Sequence, residues 1–336
     1  MISRLYIKNF KAIGEETFEL RPLTIFTGLN STGKSSCLQA ILAVLQHLSP
    51  AAGYLLQECE LDFAHIRNRN VNAKTVEVEL TDSDGNSLGI VVKDGLAEVH
   101  GETPYPMEAE KNVYYLNANR SAYDNLEKVS GQYKSGIKGE FLFGTFEEEK
   151  SNEVIPALRV VKDSDTLSSQ VDYWLGYILG MELEMSSQKV TSQQVQVLYK
   201  SGLLDQLSPR QLGVGVSSLA KILIMCLRAE KGDVVMVENP AIHLHPAAQS
   251  RLAQFFVYIA NAGIQLIVET HCEHLLNRLQ YETFKGNLKR DDMAIYYKAS
   301  VNDNFLRIRV NDRYRFEPDF PTGFFDATLD ELLEME

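Results

Sequence analysis

The sequence has few cysteines, no long apolar run and no signal-like start. Its 4 cysteines are scattered without a Cys-x-x-Cys pair, which fits reduced thiols better than a disulfide framework or a zinc site. No apolar stretch approaches the roughly 18 residues that cross a bilayer. The first residues also lack the apolar core of a signal peptide. These absences argue against a membrane partner and predict a cytoplasmic location.

Basic residues are also fewer than acidic ones. The formal net charge is −12 over 336 residues, so the chain is not a generally basic nucleic-acid binder. Contact with DNA would need a local patch, and the candidates are Arg67 with Arg69, and the group Arg307, Arg309, Arg313 and Arg315. Solvated surface charge is the alternative interpretation of both, and the pattern favours it. A hydrophobic content of 45% is ordinary for a soluble globular protein.

The most informative motif starts with a predicted apolar strand, Leu23 to Phe26. A glycine-rich loop and an apolar helix follow it. The loop has the pattern G-x-x-x-x-G-K-S. In such a loop the glycines let the backbone wrap a phosphate chain, the lysine reaches the β- and γ-phosphates, and the serine hydroxyl ligates Mg²⁺. The flanking strand and helix argue against a chance match. We therefore predict a nucleoside-triphosphate site formed by Gly28, Leu29, Asn30, Ser31, Thr32, Gly33, Lys34, Ser35 and Ser36.

A second candidate motif lies at the end of the buried strand predicted from Asp233 to Val237. The run ends in Glu238 and Asn239, and an acid at the carboxyl end of a buried parallel strand lies where ligands bind in open α/β sheets. A strand-capping glutamate is the alternative. Beside a phosphate loop, however, we predict that Glu238 and Ser35 hold Mg²⁺, directly or through water.

Two further segments fit the same site. Gly213, Gly215 and Ser217 open a helical pattern, and such a start is a second anion-binding N-terminus. Glu269 and His271 follow another apolar run, and a histidine there can donate a hydrogen bond to a γ-phosphate. We therefore predict nucleotide contacts from Gly215 and Ser217, and catalytic roles for Glu238, Asn239, Glu269 and His271.

The pattern along the chain predicts an α/β fold with a mixed central sheet. Residues 1–120 form an N-terminal lobe with the phosphate loop and an antiparallel β subdomain. Residues 121–206 form a mainly helical insertion, with a helix after Asp165 and a short β element at Val195 to Tyr199. Residues 207–336 form a C-terminal lobe of alternating strands and helices, ending in an acidic tail from Phe324 to Met335.

Together these motifs resemble the ATPase head of the ATP-binding-cassette (ABC) type, and within it the RecF, SMC and OLD-like group. The resemblance covers essentially the whole chain. It rests on the segments Ile7–Ala12, Gly28–Ser35, Gly213–Ser217, Glu238–Pro246, Glu269–Arg278 and Phe320–Asp326. The implied fold is an ABC-type phosphate-loop head with a signature segment, a Walker-B acid and a switch histidine, His271.

The resemblance also implies a mechanism. ATP and Mg²⁺ would be the cofactors, and two copies would pair head to tail as a homodimer or higher oligomer. Each ATP on one phosphate loop would be covered by Ser217 of the other copy. Nucleotide state then becomes a conformational switch.

One departure from the family pattern concerns catalysis. The usual second acid after the Walker-B acid is here Asn239, whose amide orients water but accepts no proton. Glu269 is the remaining candidate base, so we expect slow hydrolysis. Arg120 has three open interpretations: a phosphate contact, a contact to the partner subunit, or a surface arginine.

The remaining expectations concern biology. No coiled-coil heptads, no Toprim-like acids after residue 290 and no H-N-H motif are evident in the sequence. We therefore expect a sensor or regulatory subunit in a DNA-linked process, with phage defence as the leading hypothesis and a separate nuclease or toxin as effector. The alternatives are an ATPase that clamps duplex DNA directly and a nucleotide-gated scaffold without turnover.

Overall fold

The structure, a computed structural model, describes residues 1–47, 59–102, 107–120, 126–321 and 324–325. Its strands are β1 (Ile2–Phe10), β2 (Ile13–Glu19), β3 (Leu23–Gly28), β4 (Thr75–Asp82), β5 (Ser87–Lys93), β6 (Leu96–Gly101), β7 (Val113–Leu116), β8 (Leu126–Lys128), β9 (Glu184–Thr191), β10 (Gln194–Ser201), β11 (Leu204–Leu207), β12 (Val234–Glu238), β13 (Gln265–Glu269), β14 (Met293–Lys298), β15 (Leu306–Val310) and β16 (Phe316–Glu317). Its helices are α1 (Lys34–Leu45), α2 (Phe63–Ile66), α3 (Leu142–Glu149), α4 (Leu167–Leu179), α5 (Pro209–Leu212), α6 (Val214–Leu227), α7 (Pro246–Asn261) and α8 (Glu273–Phe284).

The central sheet combines strands from both lobes. Its order is β16-β15-β14-β3-β13-β12-β7, and the five strands from β14 to β7 are parallel. Every residue of β3, β12, β13 and β14 is buried, as expected for apolar strands covered on both faces. Because these strands are parallel, the polar residues that follow their apolar runs meet at one edge of the sheet. The predicted mixed central sheet is confirmed.

An antiparallel sheet forms the predicted β subdomain. Its order is β2-β1-β4-β5-β6, and β4 alternates buried and half-buried residues along its length. Asp82 stabilises the turn between β4 and β5, because its Oδ1 accepts hydrogen bonds from the backbone N–H groups of Asp84 and Asn86 at 2.8 and 2.9 Å. The buried face of this sheet shares one apolar core with α1 and the central sheet. Helix α1 is thereby fixed above the carboxyl end of β3.

The insertion contains more β structure than we predicted. Its expected helix is α4. Thr166 caps the start of this helix, because its hydroxyl accepts a hydrogen bond from the N–H of Ser169. The predicted element at Val195 to Tyr199 lies in β10, but β10 also pairs with β8, β9 and β11 in a four-stranded sheet. Strand β9 was not predicted, because only two of its eight residues are buried and its sequence shows almost no alternation of apolar and polar residues.

The insertion packs on the second lobe through α4. Trp174 lies against Phe255 of α7, with ring centroids 4.9 Å apart in an edge-to-face arrangement. The same apolar core includes α6 and the other face of the central sheet. Within the part of the chain that the structure describes, no helix is both long and apolar enough to cross a bilayer. The predicted acidic tail lies outside the described residues, apart from 324–325.

Candidate functional site

The loop between β3 and α1 has the backbone shape of a phosphate cradle. Gly28 and Gly33 adopt φ angles of 131° and 103°, and Ser31 has a φ of 60°. A Cβ at Gly28 would lie 2.1 Å from the carbonyl oxygen of Lys298 on the adjacent strand, so the glycine is sterically required. These turns bring the loop over the N-terminus of the twelve-residue helix α1. The unpaired N–H groups there favour an anion.

Lys34 is 3% exposed and lies along the inside of this loop. Its Nζ donates a hydrogen bond to the carbonyl oxygen of Leu29 at 2.5 Å, and the hydroxyl of Thr32 donates to the same oxygen at 2.9 Å. Burial lowers the pKa of Lys34, while the carboxylate of Glu269 opposes that change. Helix N–H groups and an enclosed ammonium form a donor set that fits the phosphate chain of a nucleotide.

Ser35 contacts the buried carboxylate of Glu269. Its hydroxyl donates a hydrogen bond to Oε2 of Glu269 at 2.7 Å. Glu269 is 4% exposed, and its pKa is raised to about 7 first by burial and then by the charge of Glu238. The hydroxyl oxygen of Ser35 is a hard ligand of the kind that Mg²⁺ prefers, so Ser35 fits a magnesium ion beside the phosphate loop.

Glu238 points elsewhere, although its backbone pairs in register with that of Glu269. The hydroxyl of Tyr115 on β7 donates to its Oε1 at 2.6 Å, and the N–H of Ala118 approaches its Oε2 at 3.4 Å. Burial raises the pKa of Glu238, and the hydrogen bond from Tyr115 opposes this. Tyr115 thus holds the Glu238 carboxylate toward β7, and the joint binding of Mg²⁺ by Glu238 and Ser35 stays a prediction.

Asn239 and Arg120 shape the loop after β12. Asn239 has a φ of 42°, and its N–H donates to the carbonyl oxygen of Glu269 at 2.7 Å. Arg120 is 1% exposed and donates to the carbonyl oxygens of Glu238 and Asn239. Its Nε also donates to the hydroxyl of Ser218 on α6 at 2.9 Å. The surface interpretation of Arg120 is wrong, because this guanidinium ties α6 to the end of β12 inside the protein.

His271 lies at the open side of the site. It lines a cavity of about 310 Å³ together with Asn239, His243 and Thr270. Partial burial lowers the pKa of His271, and the ammonium of Lys34 lowers it further. A neutral imidazole beside Lys34 retains one N–H donor for an anionic ligand.

The signature segment requires a correction. Ser217 is fully buried and faces Tyr199 in the interior, so its hydroxyl is not available to another copy in this structure. The cause is its position one turn inside α6, where every residue from Val216 to Leu227 is buried. Gly215 is half-buried, and a Cβ there would lie 2.5 Å from the carbonyl oxygen of His243. The exposed start of the helix is Gly213, with a φ of 84° and no side chain capping it.

Two residues of the site were missed at the level of sequence. Tyr115 orients Glu238, and Lys298 ends β14 beside Gly28. A signal for Lys298 did exist: it follows an apolar run just as Glu238 and Glu269 do. Tyr115 carried no comparable signal, because an aromatic residue in an apolar strand is indistinguishable from a core residue until the neighbouring strand is known.

The carboxyl of Glu269 gives a pH prediction for the ligand-free protein. Its pKa is raised from the ordinary 4.5 to about 7 in the folded chain, so between these values the folded state holds a proton that the unfolded state has lost. Stability should therefore fall as pH rises through this window, by up to about 3 kcal/mol. The Glu269→Gln variant should lack this fall in urea unfolding at pH 5 and 7.5. A matched control is Glu98→Gln, on an exposed strand position. Parallel pH curves for wild type and Glu269→Gln would contradict the assignment.

Comparisons with known proteins agree with this geometry. A family model described as "AAA domain, putative AbiEii toxin, Type IV TA system" matches residues 95–277, and one described as "AAA ATPase domain" matches residues 1–96. The chain is 22% identical over 378 aligned positions to an OLD nuclease of Thermus scotoductus, covering 99% of this chain and 70% of that protein.

Solved structures show the same fold. An SMC head bound to the C-terminal winged-helix domain of ScpA superposes with a TM-score of 0.54 at 15% identity, over 93% of this chain and 98% of that one. An Smc head with an extended coiled coil, bound to the C-terminal domain of ScpA derived from Pyrococcus furiosus, gives 0.57 at 13% identity, over 99% of both chains. The phosphate loop, the paired strand-end acids and the family match over more than half of the chain lead to one conclusion. The chain belongs to the AAA-domain family described as putative AbiEii toxin of type IV toxin–antitoxin systems, and it is an ABC-type ATPase of the RecF, SMC and OLD group.

Proposed function

We propose that this protein binds ATP with Mg²⁺, hydrolyses it slowly and uses nucleotide state as a switch. One observation carries the proposal: the hydroxyl of Ser35 donates to Glu269, while the residue after Glu238 is an asparagine. The binding groups of a phosphate-loop ATPase are thus present, but the usual carboxylate base after the Walker-B acid is absent. Binding would then do most of the switching.

Each residue has a distinct role in this proposal. Lys34 and the N–H groups of the loop bind the phosphates, and bound Mg²⁺ supplies positive charge against the phosphate oxygens. Glu269, with a pKa of about 7, is poised to accept a proton near neutral pH. Asn239 orients water, and His271 donates a hydrogen bond from the open side of the site.

The switch that we propose is a head-to-tail homodimer around ATP. Ser217 is buried, so the surface that covers the other copy's nucleotide must be the exposed start of α6 at Gly213. No side chain in the described part of the chain caps this helix end, which leaves backbone N–H groups for an anion. Arg120 links α6 to Glu238 and Asn239. A movement of α6 on dimerisation would therefore also move the loop after β12.

The biological role that we propose is a cytoplasmic sensor or regulatory subunit in phage defence, acting with a separate nuclease or toxin. Support comes from the name of the relative, an OLD nuclease, and from the family description as a putative toxin.

A second candidate, direct clamping of duplex DNA, has one observation in its favour. Arg309, Arg313 and Arg315 are all exposed on the β15–β16 edge of the central sheet. By contrast, Arg307 is paired with Glu19 at 2.5 Å, and Arg67 donates to Asn72. DNA binding by the isolated protein that weakens steeply with salt would favour this candidate.

The most direct test of the proposal measures molecular size with and without ATP-Mg²⁺. We expect a shift from monomer to dimer with ATP, and no shift in Lys34→Ala. An unchanged size in the wild type would refute the ATP-dependent dimer, and turnover measured in the same samples separates a slow ATPase from a scaffold without hydrolysis. A constitutive dimer would be recognised by concentration-dependent sizing without nucleotide.

A further inference from the structure

Lys298 occupies the flank of the phosphate loop opposite the two carboxylates. It is the last residue of β14 and pairs with Gly28, whereas β13 on the other side of β3 ends in Glu269. The loop is anchored to Lys298 through its backbone, since the N–H of Leu29 donates to the carbonyl oxygen of Lys298 at 3.2 Å. The loop therefore lies between an ammonium group and the carboxylates.

The side chain of Lys298 is 2% exposed, yet its ammonium has no ion pair or hydrogen bond among the described residues. Its Nζ lies 4.8 Å from the ring centroid of Phe305. Burial lowers the pKa of Lys298, and Cys37, Glu16 and Asp303 oppose this through charge interactions alone. Buried lysines are ordinarily paired, as Lys221 is with Glu127 at 3.6 Å. An enclosed ammonium without an anion calls for a ligand.

The position of Nζ indicates which ligand. It lies 4.0 Å from the point that a Cβ would occupy at Gly33, the residue immediately before α1. The ammonium is thus directed at the loop where the helix begins. Lys34, Ser35 and Glu269 face the terminal phosphates and the metal, because the motif's lysine reaches the β- and γ-phosphates and its serine binds Mg²⁺. The phosphate next to the sugar is then left for the opposite flank.

We propose that Lys298 is a second nucleotide-binding lysine, whose ammonium binds the α-phosphate of ATP or ADP. This inference rests on the proposed nucleotide site and adds a contact that the loop motif does not contain. A positive group on each flank would hold the phosphate chain across the loop, with the two strand-end carboxylates confined to one end. Because the α-phosphate is common to ATP and ADP, the contact would persist after hydrolysis.

The test is calorimetric titration of ATP-Mg²⁺ and ADP into wild type, Lys298→Met, Lys298→Arg and a control, Lys285→Met. Lys285 is exposed at the end of α8, so the control removes one positive charge away from the loop. We expect Lys298→Met to raise the Kd for both nucleotides by the same factor, about tenfold or more. Lys298→Arg and the control should stay close to wild type. An unchanged Kd for ADP in a folded Lys298→Met variant would overturn the proposal.

Two further outcomes are distinguishable. If wild type binds neither nucleotide, the proposed nucleotide site itself fails, and this inference fails with it. If Lys298→Met does not fold, the wild-type complex with ADP decides the matter by its structure. We expect Nζ to lie about 2.7–2.9 Å from an α-phosphate oxygen, and an ammonium without a phosphate contact would overturn the proposal.

Discussion

Replacing Lys34 with alanine is expected to weaken ATP binding by about a hundredfold or more. The side chain is 3% exposed and lies inside the loop, so its ammonium is already desolvated and positioned before a ligand arrives. Charge-assisted hydrogen bonds from such a group to phosphate are among the stronger polar contacts. Its removal also leaves the carbonyl oxygen of Leu29 with one donor fewer and no positive charge beside it.

Calorimetry or competition with a fluorescent nucleotide measures this loss. Lys34→Arg keeps the charge but replaces a compact ammonium with a planar fork, so it should recover binding only in part. Lys285→Met serves as the control for a lost positive charge far from the loop. Affinity within about twofold of wild type in a folded Lys34→Ala variant would show that nucleotide does not occupy this loop.

The Asn239→Glu substitution is expected to raise ATP turnover by about a hundredfold. It would place a carboxylate, which can accept a proton from water, directly after Glu238 and beside the backbone of Glu269. Asn239 has a φ of 42°, a conformation that asparagine adopts more readily than glutamate, so some stability should be lost. The gain in rate should nevertheless persist, because Arg120 holds the carbonyl oxygen of residue 239 through its guanidinium.

Asn239→Gln separates proton acceptance from side-chain length, and it should leave turnover near the wild-type rate. Glu269→Gln tests the present base: if Glu269 accepts the proton in the wild type, the residual turnover should disappear. A rate in Asn239→Glu no higher than in wild type would count against slow hydrolysis being caused by the missing acid. Steady-state phosphate release at saturating ATP-Mg²⁺ is the measurement.

The phosphate loop could be predicted from the sequence because its signals are local. Gly28 and Gly33 are required by the backbone path of a single loop, and Lys34 and Ser35 follow within two residues. The buried strands β12 and β13 were equally predictable. An uninterrupted apolar run that ends in a polar residue is recognised from local sequence, without knowing which strands lie beside it. The fold class followed from the same local patterns.

Side-chain partners across strands could not be predicted in this way. Glu238 and Glu269 are equivalent strand-end acids in the sequence, and only the order of strands decides which one meets Ser35. Strand β13 lies next to β3, so Glu269 reaches the loop, while Glu238 is one strand farther away and is held by Tyr115 of β7. The burial of Ser217 was likewise undetermined, because helical spacing identifies the apolar face of α6 but not that the whole helix from Val216 to Leu227 is enclosed.

The phosphate loop of an ABC-type head and the missing acid after Glu238 could therefore be recognised without a structure. These properties depend on which residues occupy a few consecutive positions. Three other features depend on how the chain folds: Glu269 contacts Ser35, Ser217 and Arg120 are buried, and Lys298 faces the loop. The physical reason is that these contacts join segments up to 270 residues apart, whose separation is fixed by strand order and core packing rather than by local conformational preference.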